Sequence, residues 1–283
     1  MTSQFRSKLG AQLIHQRYRD LLSRWPVPRR ELHIPTCAGE TFVLACGDED
    51  RPPVLLLHGG GTTSALWAGC AAAWAARFRI LAVDLIGEGG LSASSRPPLA
   101  SEAYIAWLDD VFRGLSYERA SLVGASMGAW MALDYATRRP TRVERLALLS
   151  PLGIGRQRMD FLIKVMPLLL LGDWGRRRVL RMAVGPVTPG EELMEFMAII
   201  QQHLRPRMVA FPVLPDEALR RLSMPVLALL GGRDAIVDTA KAKRRLERLV
   251  PHADIRFLPE VGHGMVNPTV PVLEFLTNPA STD

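Results

Sequence analysis

Ser126 lies where an apolar run of sequence gives way to a helical pattern, within the segment Gly124-Ala125-Ser126-Met127-Gly128. A tight strand-to-helix turn crowds the backbone around its central residue, so the flanking positions must be small. Such a turn exposes the serine hydroxyl. It also directs the N–H of Met127, at the start of the following helix, toward an oxyanion. The pattern predicts a nucleophile, with a plain turn between a strand and a helix as the alternative.

A serine hydroxyl is a weak nucleophile at neutral pH and needs a general base. The chain has six histidines, and His263 follows a predicted strand near the end of the chain, in the segment PEVGHGM. We therefore predict that His263 is the base. Structural roles are favoured for the remaining histidines, which are His15, His33, His58, His203 and His252.

A histidine base needs a carboxylate that orients its ring. The segment LLGGRDAIVD contains two candidates, Asp234 and Asp238. Asp234 ends a predicted strand, where its side chain can reach over the edge of a sheet, whereas Asp238 begins the next helix and resembles an N-cap. We predict that Asp234 is the acid, with Asp238 as the alternative. The resulting order of serine, aspartate and histidine is that of one class of serine hydrolases.

Three consecutive glycines, Gly59 to Gly61, follow His58 at the end of an earlier predicted strand. Glycines allow the backbone to approach a ligand closely. We predict that the N–H of Gly60 is the second oxyanion donor, with that of Gly61 as the alternative. A phosphate-binding loop is excluded, because the segment lacks both Gly-Lys-Ser/Thr and G-x-G-x-x-G followed by an acid.

Apolar segments of the strand type alternate with helical patterns along most of the chain, which favours a parallel sheet built from βαβ units. These segments are 53–61, 78–90, 120–128, 143–151, 224–234 and 253–263. Ligands bind at the carboxyl ends of the strands in such sheets. The candidate catalytic residues are therefore expected at the edge of the sheet where a ligand would bind.

The alternation is interrupted by residues 152–222, which show helical patterns and no clear buried strand. Because the chain then returns to complete the same alternation, the interruption predicts a helical cap rather than an independent domain. We expect an N-terminal helix in 1–25, an α/β core in 26–151 and 223–283, and the cap in 152–222.

These motifs, taken in order, resemble those of the α/β-hydrolase superfamily. They include LLLHGGGTTSALW, LAVDLIGEGGLSA, LVGASMGAW, PVLALLGGRDAIVD and LPEVGHG. The stretch before them also resembles a bacterial carboxylesterase-like group. The resemblance implies a mostly parallel, doubly wound sheet of eight strands, a helical cap after the sixth strand, a Ser–Asp–His triad, and no cofactor or metal.

Two positions depart from the pattern of many relatives in this superfamily. Glu88, in IGEGG, lies where a histidine is common, and Ala125 lies directly before the serine, where histidine is also frequent. Neither departure removes a member of the triad. Both are positions at which substrate preference could differ.

The composition points away from several other classes of protein. The net charge is +7, but the excess comes from scattered arginines without interleaved aromatic residues, so we expect no nucleic-acid partner. Three cysteines match no zinc pattern and no disulfide framework. The apolar segments are too short and too interrupted to span a bilayer. We expect a soluble, cytoplasmic protein that does not insert into membranes, and a homodimer is compatible with the sequence.

The predicted activity is hydrolysis of a carboxylic ester of a small to medium hydrophobic substrate through an acyl-enzyme. Rival functions on the same scaffold are a thioesterase, a carbon–carbon bond hydrolase, a cyclase and a non-catalytic ligand receptor. Apolar, adaptable side chains are expected around the substrate. The predicted substrate contacts are Gly61, Trp67, Met159, Leu162, Met166 and Met197.

Overall fold

The computed structural model of the chain describes residues 4–186, 189–207, 210–264 and 267–278. Eight strands form one sheet within these residues. They are β1 (Arg29–Ile34), β2 (Thr41–Cys46), β3 (Pro53–Leu57), β4 (Arg79–Val83), β5 (Ala120–Ala125), β6 (Val143–Leu149), β7 (Val226–Gly231) and β8 (Asp254–Leu258).

The strand order across the sheet is β1-β2-β4-β3-β5-β6-β7-β8. The pairs β1–β2 and β2–β4 are antiparallel, whereas every other neighbouring pair is parallel. This arrangement confirms the predicted eight-stranded, mostly parallel sheet. The predicted strand segments 53–61 and 78–90 were too long, because Gly61 and Gly87 have positive φ angles that a strand does not accept.

Helices cover both faces of the sheet. They are α1 (Lys8–Ser23), α2 (Ala68–Ala75), α3 (Ala103–Gly114), α4 (Met127–Arg138), α5 (Met159–Leu169), α6 (Gly172–Val184), α7 (Glu191–His203), α8 (Asp216–Leu219), α9 (Thr239–Leu249) and α10 (Thr269–Thr277). A short 3₁₀ turn over Ser64–Trp67 precedes α2. Helices α5 to α8 all lie between β6 and β7. Among the described residues, none of the helices is both long and apolar enough to cross a membrane.

The core has two layers, one on each face of the sheet. Successive residues of β3 alternate between them: Leu55 and Leu57 pack in one cluster, and Val54 and Leu56 pack in the other. Because both faces are covered, the central strands are apolar throughout rather than alternating with polar residues. The sheet is therefore a rigid base for the loops at its carboxyl edge.

Helix α1 packs beside the helical insertion rather than standing apart from it. Its Ser7 side chain caps the N-terminus by accepting the N–H of Gly10 at 3.0 Å. Tyr18, fully buried, donates to Asp84 Oδ1 at 2.8 Å and so ties the helix to the end of β4. The same tyrosine stacks on Phe196 of α7, with ring centroids 5.9 Å apart. The N-terminal helix thus links the core to the insertion.

Candidate active site

Ser126 forms the turn between β5 and α4, with φ of 51° and ψ of −109°. Such a positive φ is strained for a residue with a side chain, and strain of this kind is found at functional sites. A Cβ atom on Gly124 would collide with the backbone of α4, and one on Gly128 would collide with the carbonyl oxygen of Leu57. The glycines two residues before and after the serine are therefore required by close backbone packing.

His263 bridges the serine and an aspartate. Its Nε2 lies 2.8 Å from Ser126 Oγ, and its Nδ1 lies 2.8 Å from Asp234 Oδ2. The three side chains come from loops that follow β5, β7 and β8, and the parallel order of those strands brings them to one edge. Since a carboxylate oxygen only accepts, Nδ1 carries a proton and Nε2 is left to accept one from the serine.

Asp234 is held by its own loop. Its Oδ1 accepts the backbone N–H groups of Ile236 at 2.7 Å and Val237 at 2.9 Å, and the side chain is buried. This leaves Oδ2 directed at His263. The rival Asp238 instead caps α9, accepting the N–H of Lys241 at 3.1 Å, as its sequence context predicted.

His58 stabilises the glycine loop after β3. The backbone N–H of Leu85 donates to its Nε2 at 2.9 Å, so the ring proton must sit on Nδ1, which lies 2.8 Å from the carbonyl oxygen of Gly59. Complete burial lowers the pKa of His58, against the opposing charge of Asp84. The ring is a neutral bridge between two loops, which is the structural role that its sequence context predicted.

The glycine loop and the start of α4 each present one N–H group without a partner among the described residues near the serine. A Cβ built on Gly60 would lie 3.7 Å from Met127 Sδ, so these residues are neighbours across the loops. The N–H of Gly61 is taken by Glu88 Oε2 at 3.1 Å. The N–H groups of Gly60 and Met127, by contrast, donate to no other described residue.

A model of the alpha/beta hydrolase family matches residues 54–275, which is most of the chain. The chain belongs to the α/β-hydrolase family. Carboxylesterase YbfK of Bacillus subtilis (strain 168) is 30% identical to this hydrolase over 274 residues, which span 92% of this chain and 90% of the relative. The uncharacterized carboxylesterase nap of the same organism is 31% identical over 265 residues, 90% of this chain and 88% of the relative.

Solved structures agree with these sequence relatives. The crystal structure of naproxen esterase (carboxylesterase NP) from Bacillus subtilis superposes on this hydrolase with a TM-score of 0.84 and 30% identity, covering 96% of this chain and 99% of the other. Carboxylesterase CesB (YbfK) gives a TM-score of 0.84 at 29% identity, covering 95% and 99%. The prediction of an enzyme of this fold, similar to carboxylesterases, is confirmed.

A cavity of approximately 1110 Å³ lies between the core of the hydrolase and its helical insertion. Ser126, Met127 and His263 line its floor. Most of the remaining lining is apolar and comes from both the insertion and the core, as is typical of small-molecule sites. Among the described residues, no cluster of three or more His, Cys, Asp or Glu side chains could hold a metal ion.

The predicted substrate contacts divide into three groups. Gly61, Trp67, Met166 and Met197 line the cavity. Met159 does not: it lies at the start of α5 with 66% of its surface exposed. The side chain of Leu162 lies outside the described residues.

Several lining residues were not predicted from the sequence. Leu21 and Trp25, in or just after α1, form part of the wall, because α1 packs against α7. Arg207 reaches into the cavity from the insertion, and its Nε donates to Glu88 Oε1 at 2.9 Å. The pKa of the Arg207 guanidinium is raised overall. Burial alone would lower this pKa, but the neighbouring Glu88 and Tyr104 outweigh the effect of burial. Glu88 itself was noted in the sequence as a departure from relatives.

Proposed function

We propose that this hydrolase cleaves carboxylic esters through an acyl-enzyme formed on Ser126. The observation that carries the proposal is the continuous chain of hydrogen bonds from Ser126 Oγ through His263 to Asp234, with both distances at 2.8 Å. A non-catalytic receptor has no need of this geometry. The names of its relatives, carboxylesterases and a naproxen esterase, support ester chemistry.

In the first half-reaction, His263 Nε2 takes the proton of Ser126 Oγ as the oxygen attacks the ester carbonyl carbon. The carbonyl oxygen becomes an oxyanion. When the tetrahedral intermediate collapses, the carbon–oxygen bond to the alcohol breaks, and the protonated His263 gives its proton to the departing alkoxide. Asp234 remains ionised throughout and stabilises the transient imidazolium.

In the second half-reaction, a water molecule replaces the alcohol. His263 takes a proton from the water as the oxygen attacks the acyl carbon, and the second tetrahedral intermediate expels Ser126 Oγ. The serine recovers its proton from the histidine, and the carboxylic acid leaves. No cofactor is needed, because proton transfers balance both steps.

The N–H groups of Gly60 and Met127 are the proposed donors to the oxyanion. Both are free of other described partners, and that of Met127 lies at the N-terminus of α4, where the helix dipole favours negative charge. Removing one such donor typically costs on the order of 10²–10³ in rate. The N–H of Gly61 is not proposed, since Glu88 occupies it.

The apolar lining of the cavity supports a small to medium hydrophobic ester as substrate. Trp67 from the core and Met197 from the insertion both line the cavity. The walls suit an acyl or aromatic group better than a strongly polar one. A cytoplasmic location and a homodimeric state remain predictions.

The proposal is tested by hydrolysis of p-nitrophenyl esters from acetate to decanoate, with Ser126→Ala beside the wild type. We expect turnover in the wild type and its loss in the variant, because no other described hydroxyl lies beside His263 Nε2. Equal turnover in both proteins would reject Ser126 as the nucleophile. No turnover in either would favour a dedicated biosynthetic enzyme or a receptor.

A further inference from the structure

Helix α5 exposes its apolar side to solvent. Met159, Ile163, Met166 and Leu170 follow one another at spacings of four, three and four residues, which places them on one face of the helix and its last turn. Ile163 is 71% exposed and Leu170 is 86% exposed. Exposed single apolar residues are ordinary, but a contiguous stripe of large ones marks an interaction site.

The neighbouring helix α6 carries positive charge on its own exposed face. Trp174, Arg177, Arg178 and Arg181 share its exposed face at spacings of three, one and three residues. Among the described residues, these three arginines form no ion pair. Over residues 158–181, the sequence has six basic residues against two acidic ones. We call the two exposed faces together the α5–α6 surface.

Large exposed apolar side chains on one helix, together with arginines on the next that have no ion pair among the described residues, match the chemistry of an anionic lipid surface. The apolar side chains enter the boundary between headgroups and acyl chains, while the arginines remain among the lipid phosphates. A second copy of the chain fits less well, since a two-fold contact would set this net positive surface against itself. The charge therefore selects an anionic partner over self-association.

The α5–α6 surface is also close to the cavity. Met166 and Leu169 of α5 line the cavity, as does Val179 on the inner face of α6. We propose that the α5–α6 surface docks this hydrolase on anionic lipid surfaces, with the membrane bound peripherally and not spanned. Docking there brings the cavity-lining residues of α5 close to molecules dissolved in the lipid.

The test is co-sedimentation of the full chain with vesicles of phosphatidylcholine alone and with 30% phosphatidylglycerol. The vesicle composition is chosen by us and the assay needs no turnover, so its outcome is independent of the proposed esterase activity. We expect binding to the anionic vesicles that weakens as salt is added. We expect Arg177→Gln and Arg178→Gln each to weaken binding about fivefold.

The apolar half of the surface is tested by the double variant Ile163→Ser/Leu170→Ser, whose side chains lie outside the cavity lining. We expect its binding to the anionic vesicles to fall tenfold or more. Leu9→Ser, which removes an apolar side chain that is 76% exposed on α1, and Arg113→Gln, which removes an exposed arginine on α3, are matched controls and should bind as the wild type does.

Four results would overturn the proposal. One is an absence of binding to either vesicle. Another is equal binding to neutral and anionic vesicles. The third is a lipid-free dimer of the wild type that Ile163→Ser/Leu170→Ser converts to a monomer, because the surface would then be an interface between two copies. Retained binding in that double variant would likewise assign the docking surface elsewhere.

Discussion

The carboxylate of Glu88 joins the glycine loop to Arg207. Its Oε2 accepts the N–H of Gly61 at 3.1 Å, and its Oε1 accepts Arg207 Nε at 2.9 Å. The Glu88 side chain is buried, with 3% of it exposed. A bare carboxylate beside the proposed oxyanion site would oppose the developing negative charge, and the guanidinium of Arg207 compensates for that charge. Through this pair, the insertion helps to hold the loop that carries Gly60.

We predict that Glu88→Ala lowers kcat for p-nitrophenyl butyrate by roughly tenfold or more, because Gly61 loses its acceptor and the oxyanion loop loses its position. The variant also removes the carboxylate that pairs with Arg207 and Arg96, so the free energy of unfolding should fall by roughly 3 kcal/mol in urea titrations. Glu88→Gln keeps an acceptor for Gly61 and should retain more of kcat than Glu88→Ala.

The double variant Glu88→Gln/Arg207→Met separates the two effects. It removes both charges while an oxygen remains for Gly61, so it should be more stable than Glu88→Ala. A Glu88→Ala enzyme with the kcat of the wild type would show that the Gly61 contact does not position the loop.

Asp234 and Asp238 provide a matched pair of substitutions. Asp234→Asn should lower kcat by roughly 10³–10⁴, since the amide no longer holds His263 in the tautomer that accepts the serine proton. Asp238→Ala should leave kcat near that of the wild type and lower the free energy of unfolding by about 1 kcal/mol, through loss of the α9 cap. Steady-state kinetics measures kcat of both variants, and urea unfolding measures their free energy of unfolding. The opposite pattern would assign the acid to Asp238.

The sequence was sufficient to single out those candidate site residues that a local pattern marks. Ser126, Asp234 and His263 could each be picked out because each follows an apolar strand segment, and parallel strands bring such residues to one edge. The pairing of Glu88 with Arg207 could not be predicted, because 119 residues separate the two and only tertiary packing brings them together.

The sequence likewise could not predict which side chains of the insertion face the cavity. Met159 and Met166 lie on the same exposed stripe, yet only Met166 borders the cavity. An apolar helix is expected to turn its apolar side inward, and α5 does so only in part, because Met166 and Leu169 border the cavity while Met159 and Ile163 are exposed. The packing of α1 against α7, which adds Leu21 to the cavity wall, also depends on contacts between distant segments.

The cavity can be narrowed from the insertion side. Met197→Trp places a larger side chain in the lining, so we expect the preferred acyl chain of p-nitrophenyl esters to become shorter. For esters that no longer fit, kcat/KM should fall by roughly 10–100-fold. Met159→Trp is the control, because Met159 is exposed and outside the lining. A shift in preference with Met159→Trp, and none with Met197→Trp, would contradict the placement of α7.

His58 predicts how stability depends on pH. Burial lowers its pKa in the folded protein, so between that pKa and about 6.5 the unfolded chain binds a proton that the folded chain does not. The free energy of unfolding should therefore fall as the pH drops below about 6.5, by up to about 1.4 kcal/mol per pH unit. His15, whose pKa burial also lowers, adds to the same slope.

Urea unfolding of His58→Gln and the wild type between pH 8 and pH 5 measures this contribution. We expect the variant to be less stable at pH 8, where the contacts with Gly59 and Leu85 are weakened, and to lose less stability on acidification. His33→Gln, at an exposed position on β1, should keep the slope of the wild type. Parallel curves for His58→Gln and the wild type would mean that His58 takes up its proton in the folded state as readily as in the unfolded chain.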